Sequence, residues 1–149
     1  MGLRDLFRSG NAGGSQARAV NGTPVDVDVV GESQYQPHIK AVQKKAGGGP
    51  FTITLVADVK NVYDRNAVVV IADGGPVGYL SRDTAELWQS TILAANAEGY
   101  TVTGTAEVFG GEKGKPARGV FGTVPWPGKN PPPSRWVTGR PAGPEGNDW

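Results

Sequence analysis

The sequence contains no cysteine and only one histidine, His38. The absence of cysteine excludes a disulfide scaffold, a thiol nucleophile and a cysteine-ligated zinc site. We expect His38 to lie on the surface or on a helix face, and neither a Gly-x-Ser-x-Gly nucleophile motif nor a G-x-x-x-x-G-K-S/T phosphate loop is present. The sequence therefore predicts a protein that is not an enzyme, with no catalytic residue, no metal ligand and no cofactor.

Long apolar runs and a strong net charge are also lacking. No window approaches the roughly 18 apolar residues of a membrane span, and the N-terminus lacks the apolar stretch of a secretory signal. We therefore expect a cytoplasmic protein without a membrane partner. The 149 residues carry a net charge of +1, but residues 25–126 hold nine basic against eleven acidic residues, a net charge of −2. Such a domain neutralises few phosphates, which disfavours broad coating of DNA but permits a small pocket for a strand end.

Glycine and proline are abundant, and their distribution divides the chain. Residues 9–22 are rich in Gly, Ser, Ala and Asn, so we interpret residues 1–21 as a flexible N-terminal segment. Residues 22–127 form the predicted folded domain. Residues 128–149 are rich in Pro and Gly and are predicted to be disordered, with Trp136 and Trp149 as contact points for a partner.

Six segments have the composition or the alternating pattern of β-strands. They are residues 25–30, 51–60, 67–72, 76–80, 100–109 and 118–126. The unbroken apolar run 67–72 predicts a strand that is covered on both faces. Asp73-Gly74-Gly75 predicts a hairpin turn, whereas residues 110–116 are predicted to be a basic, glycine-rich loop.

Two helices are predicted between these strands. The first begins at Ser33 or Gln36 as N-cap, places Tyr35, Ile39 and Val42 on one face, and ends at the glycines after residue 46. The second begins with Ser81 or Asp83 as N-cap and ends before Gly99. Its apolar stripe is Ala85, Trp88, Ile92 and Ala95. The predicted fold class is mainly β with two α-helices, in a small OB-like β-barrel of about six strands.

The turn 61–66 contains an aromatic and a basic side chain that a turn does not require, because Asn, Asp or Gly would suffice to form it. Tyr63 offers a ring on which a terminal base could stack, and Asp64 could accept a hydrogen bond from a terminal 3′-hydroxyl. Tyr79, on the next strand, could reach Tyr63 if the strands pair. Arg82, at the start of a helix, could hold a phosphate. The alternative is a solvated turn whose Tyr63 lies back on the core.

These residues also carry a resemblance to a known family. Val30-Gly31-Glu32-Ser33, the run Asn61–Val70, Gly78-Tyr79-Leu80 and Ala85 of the following helix occur in the order found in HIRAN domains. The chain resembles this family over roughly residues 25 to 126. HIRAN domains occur fused to DNA-remodelling helicases and as stand-alone bacterial or phage proteins. The resemblance implies an OB-like barrel that captures the 3′ end of single-stranded DNA.

The same resemblance implies roles for individual residues. Tyr63 and Asp64 match the pair that recognises the strand end in the family, and Arg82 lies where helicase-linked members tend to carry a basic residue. Before the first helix those members have an arginine and aromatics, whereas this chain has Glu32-Ser33-Gln34. Here Tyr35 supplies the aromatic.

We therefore predict a DNA-binding module for single-stranded DNA, and for its 3′-hydroxyl end, in DNA repair or replication. The predicted interface consists of Tyr35, Tyr63, Asp64, Tyr79 and Arg82. A DNA-processing protein could bind through the tails. One alternative is a protein-interaction adaptor that uses the barrel or the Pro/Trp-rich tail. A weaker alternative is a metal-dependent nuclease built on Asp58 and Asp64, although the spacing of nearby oxygen ligands does not match an EF-hand.

Overall fold

The computed structural model describes residues 18–132, and the predictions for residues 1–17 and for the tail beyond residue 132 lie outside this range. Within it are two α-helices, α1 (Gln36–Lys45) and α2 (Arg82–Ala97), and a short 3₁₀ helix, Glu32–Gln34. Eight strands complete this part of the chain: β1 (Arg18–Ala19), β2 (Thr23–Val30), β3 (Phe51–Ala57), β4 (Val68–Ala72), β5 (Gly75–Leu80), β6 (Tyr100–Thr101), β7 (Thr103–Glu112) and β8 (Lys115–Trp126).

Six of these strands form a closed antiparallel barrel in the order β2–β5–β4–β3–β7–β8. The strand β2 closes the barrel. Its residues 23–28 pair with β8, and its last two residues, Val29 and Val30, pair with Leu80 and Tyr79 of β5. The predicted fold class, mainly β with two helices and a small six-stranded barrel, is confirmed.

Alternating apolar side chains fill the barrel. In β2, Val25, Val27 and Val29 are buried, as the period-two pattern predicts. All five residues of β4 are buried, which confirms the prediction for the unbroken apolar run. The predicted hairpin turn is also present: Asp73 and Gly74 both have positive φ angles, 49° and 79°, between β4 and β5.

Both helices contribute to the same core cluster as the barrel. Ile39 and Val42 of α1 belong to it, together with Ala85, Trp88 and Ile92 of α2. The fully buried Trp88 packs edge-on against Trp126 of β8, with ring centroids 4.8 Å apart. Each large side chain buried in this way contributes on the order of 1.5–3 kcal/mol. None of the helices in the described residues is long and apolar enough to cross a membrane.

The strand β3 is shorter than predicted. It ends at Ala57 instead of residue 60, because the backbone N–H of Asp58 bonds to the carbonyl of Ala67 and closes a loop there. Val59 is therefore 44% exposed instead of continuing the buried face of the strand. In the alternating pattern of residues 51–60, Asp58 falls on the polar face, but it is only 9% exposed.

Neither predicted N-cap of the first helix is correct. Ser33 and Gln34 belong to the 3₁₀ helix, which follows Gly31 in the left-handed region at φ 77°. The N-cap of α1 is Tyr35, so Pro37 falls within the first helical turn, where its missing N–H costs nothing. The second helix begins as one of the two predictions had it, with Ser81 as N-cap.

Two further differences concern strand pairing. The predicted loop 110–116 is largely strand, since β7 and β8 pair as far as Glu112 and Lys115. Arg18 and Ala19, placed by the sequence in the flexible segment, instead form β1 and pair in parallel with Tyr100 and Thr101.

Gly78 explains the close approach of β5 to β2. Its φ angle is 155°, and a Cβ added there would lie 2.4 Å from Cγ1 of Val29 and 2.7 Å from the carbonyl oxygen of Val30. Only glycine fits such a contact without movement. The neighbouring Tyr79 thereby pairs with Val30 on one side and Val69 on the other.

Candidate nucleic-acid interface

The loop between β3 and β4, residues 58–67, is ordered by its own backbone. The amide of Asn61 donates to the carbonyl of Asp58 at 3.1 Å, and the amide of Ala67 donates to the carbonyl of Asp64 at 3.1 Å. The amide of Asp58 donates to the carbonyl of Ala67 at 2.8 Å and closes the base. Together these bonds give the loop a defined shape although it contains neither helix nor strand.

Side chains complete this order. The Oδ1 atom of Asn61 accepts hydrogen bonds from the backbone N–H groups of Tyr63, at 2.8 Å, and Asp64, at 3.0 Å. The Oδ1 atom of Asp64 accepts one from the backbone N–H of Asn66 at 2.9 Å. These are the local turns for which Asn and Asp are suited. They leave the second carboxylate oxygen of Asp64 for other contacts.

The tip of the loop is apolar and exposed. The exposed fraction is 88% for Tyr63 and 86% for Val62. Tyr63 therefore does not lie back on the core, which was the alternative reading of the sequence. An aromatic ring held in solvent by a well-ordered loop is unusual because burying it would be favourable, and it is the arrangement that a stacking contact requires.

Arg82 lies beside Asp64. Its Nε atom is 3.6 Å from Oδ2 of Asp64, and its side chain is 73% exposed against 21% for the carboxylate. An exposed pair of this kind contributes little to stability. Arg82 is also the first residue of α2, and no side chain caps the backbone there, since the hydroxyl of Ser81 bonds to Oγ1 of Thr84. A guanidinium and free helix N–H groups together favour an anion.

Beneath the loop, Asp58 joins Tyr79 to Asn61. Its Oδ2 atom accepts hydrogen bonds from the Tyr79 hydroxyl at 3.2 Å and from Nδ2 of Asn61 at 3.3 Å. Tyr79, which the sequence placed in reach of Tyr63, thus supports the loop through Asp58. Burial, then the charge of Asp58 and the neighbouring Tyr35, raise the pKa of Tyr79 to about 12. The hydroxyl consequently stays protonated, as a donor, at physiological pH.

The opposite side of the loop is tied to α2. The Nε2 atom of Gln89 donates to the backbone carbonyl of Arg65. With the pair between Asp64 and Arg82, two contacts fix the loop against the helix. The sequence offered Asp58 only as a metal-ligand candidate, and it offered no role for Gln89. The supporting role of Asp58 was hidden because the alternating pattern of β3 continues through it to residue 60.

Two polar side chains, one in the 3₁₀ helix and one at the start of α1, form hydrogen bonds with the backbone of β8. One carboxylate oxygen of Glu32 accepts the backbone N–H of Val120 at 3.0 Å. Gln36 donates to the carbonyls of Glu32, at 3.1 Å, and Arg118, at 2.9 Å, and accepts the Arg118 N–H at 2.9 Å. Burial is the main cause that raises the pKa of Glu32. Glu32 and Gln36 thus cover the edge of β8 where β2 no longer pairs with it.

Of the five residues predicted for the interface, the structure places Tyr63, Asp64 and Arg82 together at the loop and the start of α2. Tyr79 lies below them. Tyr35 is half-buried and packs against the core, and it is one of the groups that raise the pKa of Tyr79. No group of three residues that could hold a metal ion occurs within residues 18–132. The ring of His38 bonds through Nε2 to the carbonyl of Ala72 at 2.7 Å, which ties α1 to β4.

No family model, no curated protein and no solved structure matches this chain. The resemblance to HIRAN domains therefore rests on the ordered sequence motifs alone.

Proposed function

We propose that the protein is a non-enzymatic module that binds single-stranded DNA at a free 3′ end. The observation that carries this proposal is the exposed Tyr63 ring, held by Asn61 next to the carboxylate of Asp64. Small OB-like barrels that present such rings are common single-strand binders. The likeness to HIRAN domains supports the same function.

Each of the three groups at the loop has a part in the proposed mechanism. The terminal base stacks on Tyr63, which is sequence-tolerant because every base has a π-face. The 3′-hydroxyl donates a hydrogen bond to Oδ2 of Asp64, the oxygen that the turn leaves available. Arg82 holds the adjacent backbone phosphate from the start of α2. A 3′-phosphate would be repelled by the Asp64 carboxylate, so the site selects a hydroxyl end.

The pair between Arg82 and Asp64 also limits the affinity. With Arg82 already balanced by a carboxylate, the site neutralises few phosphates, in keeping with the net charge of −2 over residues 25–126. The module therefore recognises an end and does not coat a strand.

A protein-interaction adaptor is the second candidate function. One observation favours it: Val62 is as exposed as Tyr63, and an apolar pair at a loop tip also suits a protein partner. The nuclease alternative has less support. Asp58, one of its two carboxylates, is buried and bonded to Tyr79 and Asn61, which is the environment of a structural group.

Fluorescence anisotropy with short labelled oligonucleotides tests the proposal through two neighbouring variants. Tyr63→Ala should weaken single-strand binding by about 1–3 kcal/mol, because it removes the stacking surface. Val62→Ala is the matched control, since it removes an equally exposed side chain without a π-face. Equal losses in both variants would indicate a general apolar contact. If the parent protein did not bind single-stranded DNA at all, the protein-interaction adaptor would be the remaining candidate function.

A further inference from the structure

A cavity of about 580 Å³ opens between the C-terminal half of α2 and the chain that leaves β8. Its apolar wall includes Val20, Ala94 and Ala95, and its aromatic wall consists of Tyr100 and Trp126. Small-molecule sites have this size, within about 300–1,000 Å³, and this kind of lining. The binding chemistry proposed for the Tyr63 loop does not use this cavity.

The aromatic wall is firmly held. Trp126 meets the fully buried Trp88 edge-on, with an interplanar angle of 71° and centroids 4.8 Å apart. Tyr100 belongs to β6, which β1 pairs with and covers on one side. Both rings are half-buried, so each keeps part of its surface at the cavity. Pre-positioned rings of this kind accept a planar aromatic group at little entropic cost.

Two basic side chains lie at or next to the cavity. Lys129 lines it. Arg18 is not a lining residue, but its guanidinium lies over the ring of the lining residue Tyr100, 5.9 Å from the centroid. Glu98 is the one carboxylate among the lining residues. Asn21 and Thr91 add polar groups that can bond to the edge of a heterocycle.

From this lining we infer that the cavity binds a nucleotide, with its base against Trp126 and Tyr100 and its phosphate near Arg18 and Lys129. The site is separate from the proposed end-binding loop. Arg82 marks the loop at the start of α2, and Ala94 lies twelve residues further along, about 18 Å at the rise of an α-helix. This nucleotide site does not depend on the proposed DNA-end function.

Thymidine 3′,5′-bisphosphate is a probe that separates the two sites, because it has no free 3′-hydroxyl for Asp64. Intrinsic fluorescence reports on the cavity once Trp136 and Trp149 are changed to Phe in the full chain, which leaves Trp88 and Trp126 as the only tryptophans. Titration of the bisphosphate should then change the emission in a saturable way. Thymidine, without phosphate, should bind more weakly.

Two helix variants locate the binding. Ala94→Leu fills the cavity from an exposed helical position without removing a core contact, and should weaken nucleotide binding by about 5- to 150-fold, the value of one stacked base. Ala97→Leu is the matched control on the same helix, since Ala97 is exposed and does not line the cavity. Ala97→Leu and Tyr63→Ala should both leave the affinity within about twofold.

Three results would overturn the inference. The first is the absence of a saturable change at millimolar bisphosphate. The second is a loss of binding in Tyr63→Ala but not in Ala94→Leu, which would place the nucleotide at the loop. The third is saturable binding of a proline-rich peptide, blocked by Ala94→Leu, with no binding of the nucleotide, since aromatic grooves also take such peptides.

Discussion

Residues 31–36 and the loop 61–66 are the two segments for which the resemblance to HIRAN domains predicts DNA contacts, and their polar groups bond in different ways. In the first, the side chains of Glu32 and Gln36 form hydrogen bonds with the backbone of β8. In the second, Asn61 and Asp64 also bond to backbone, but only within the loop, and the ring of Tyr63 stays in solvent. The first segment stabilises the barrel, and the second presents a surface.

This difference bears on where DNA can bind. The carboxylate of Glu32 is partly buried and accepts a hydrogen bond from the backbone N–H of Val120. The fold therefore accounts for an acidic residue at this position. If the protein binds DNA as proposed, recognition should be concentrated at the loop and Arg82. We therefore expect substitutions in the two segments to separate folding from binding.

The largest effect should come from Gln36→Ala. The variant loses hydrogen bonds to Glu32 and to both backbone groups of Arg118, which leaves part of the β8 edge uncovered. The free energy of unfolding should fall by about 1–3 kcal/mol in denaturant titrations, with DNA affinity unchanged in the folded protein. Ser33→Ala, an exposed neighbour, is the control and should stay within about 0.5 kcal/mol. A Gln36→Ala protein as stable as the parent would contradict the structural role of this segment.

A smaller effect on folding but a clear one on binding is expected for Asn61→Ala. The change removes the acceptor for the Tyr63 and Asp64 amides, so the loop loses its shape while the barrel stays folded. We expect a loss of about 0.5–2 kcal/mol in stability and a loss of DNA affinity close to that of Tyr63→Ala. Asn66→Ala is the control, because the backbone of Asn66, not its side chain, bonds to Asp64. Unchanged affinity in Asn61→Ala would show that loop order is irrelevant to binding.

The smallest effect concerns pH and the first segment. Because the pKa of Glu32 is raised in the folded state, mainly by burial, its contribution to stability is complete below its ordinary value of 4.5 and is lost as pH rises through the raised pKa. Glu32→Gln keeps an acceptor for Val120 without the charge. The parent should therefore lose stability relative to Glu32→Gln over this window, in unfolding midpoints measured from acidic to neutral pH. Parallel pH profiles for the two proteins would contradict the buried position of the carboxyl.

The parts of the fold that depend on local pattern could be predicted from the sequence. The apolar run at β4, the Asp73-Gly74 turn and the stripe of α2 each follow from residue spacing alone. The parts that depend on distant partners could not. The strand β3 stops at Ala57 because Asp58 bonds to Ala67, and β1 exists because Arg18 and Ala19 meet β6. Neither contact leaves a periodic signal.

The candidate site divides in the same way. Tyr63, Asp64 and Arg82 could be chosen from the sequence because their chemistry exceeds what a turn or a helix start needs. The roles of Asp58, Tyr79 and Gln89 could not be predicted, since Asp58 and Tyr79 bond to each other across 21 positions and Gln89 bonds to Arg65 across 24. Glu32 is the converse case. It lies where the resemblance predicts a DNA contact, but its carboxylate accepts a hydrogen bond from the backbone of Val120.

The proposed selection of a free 3′-hydroxyl by Asp64 is tested most directly by anisotropy titrations of one oligonucleotide that ends in either a 3′-hydroxyl or a 3′-phosphate. The parent protein should prefer the hydroxyl form by about tenfold or more, the value of a hydrogen bond to a charged group. Asp64→Asn should abolish the preference, because it removes the repulsion of phosphate while its side-chain oxygen can still accept the Asn66 N–H. Equal affinity of the parent for hydroxyl, phosphorylated and circular strands would contradict capture of the 3′ end.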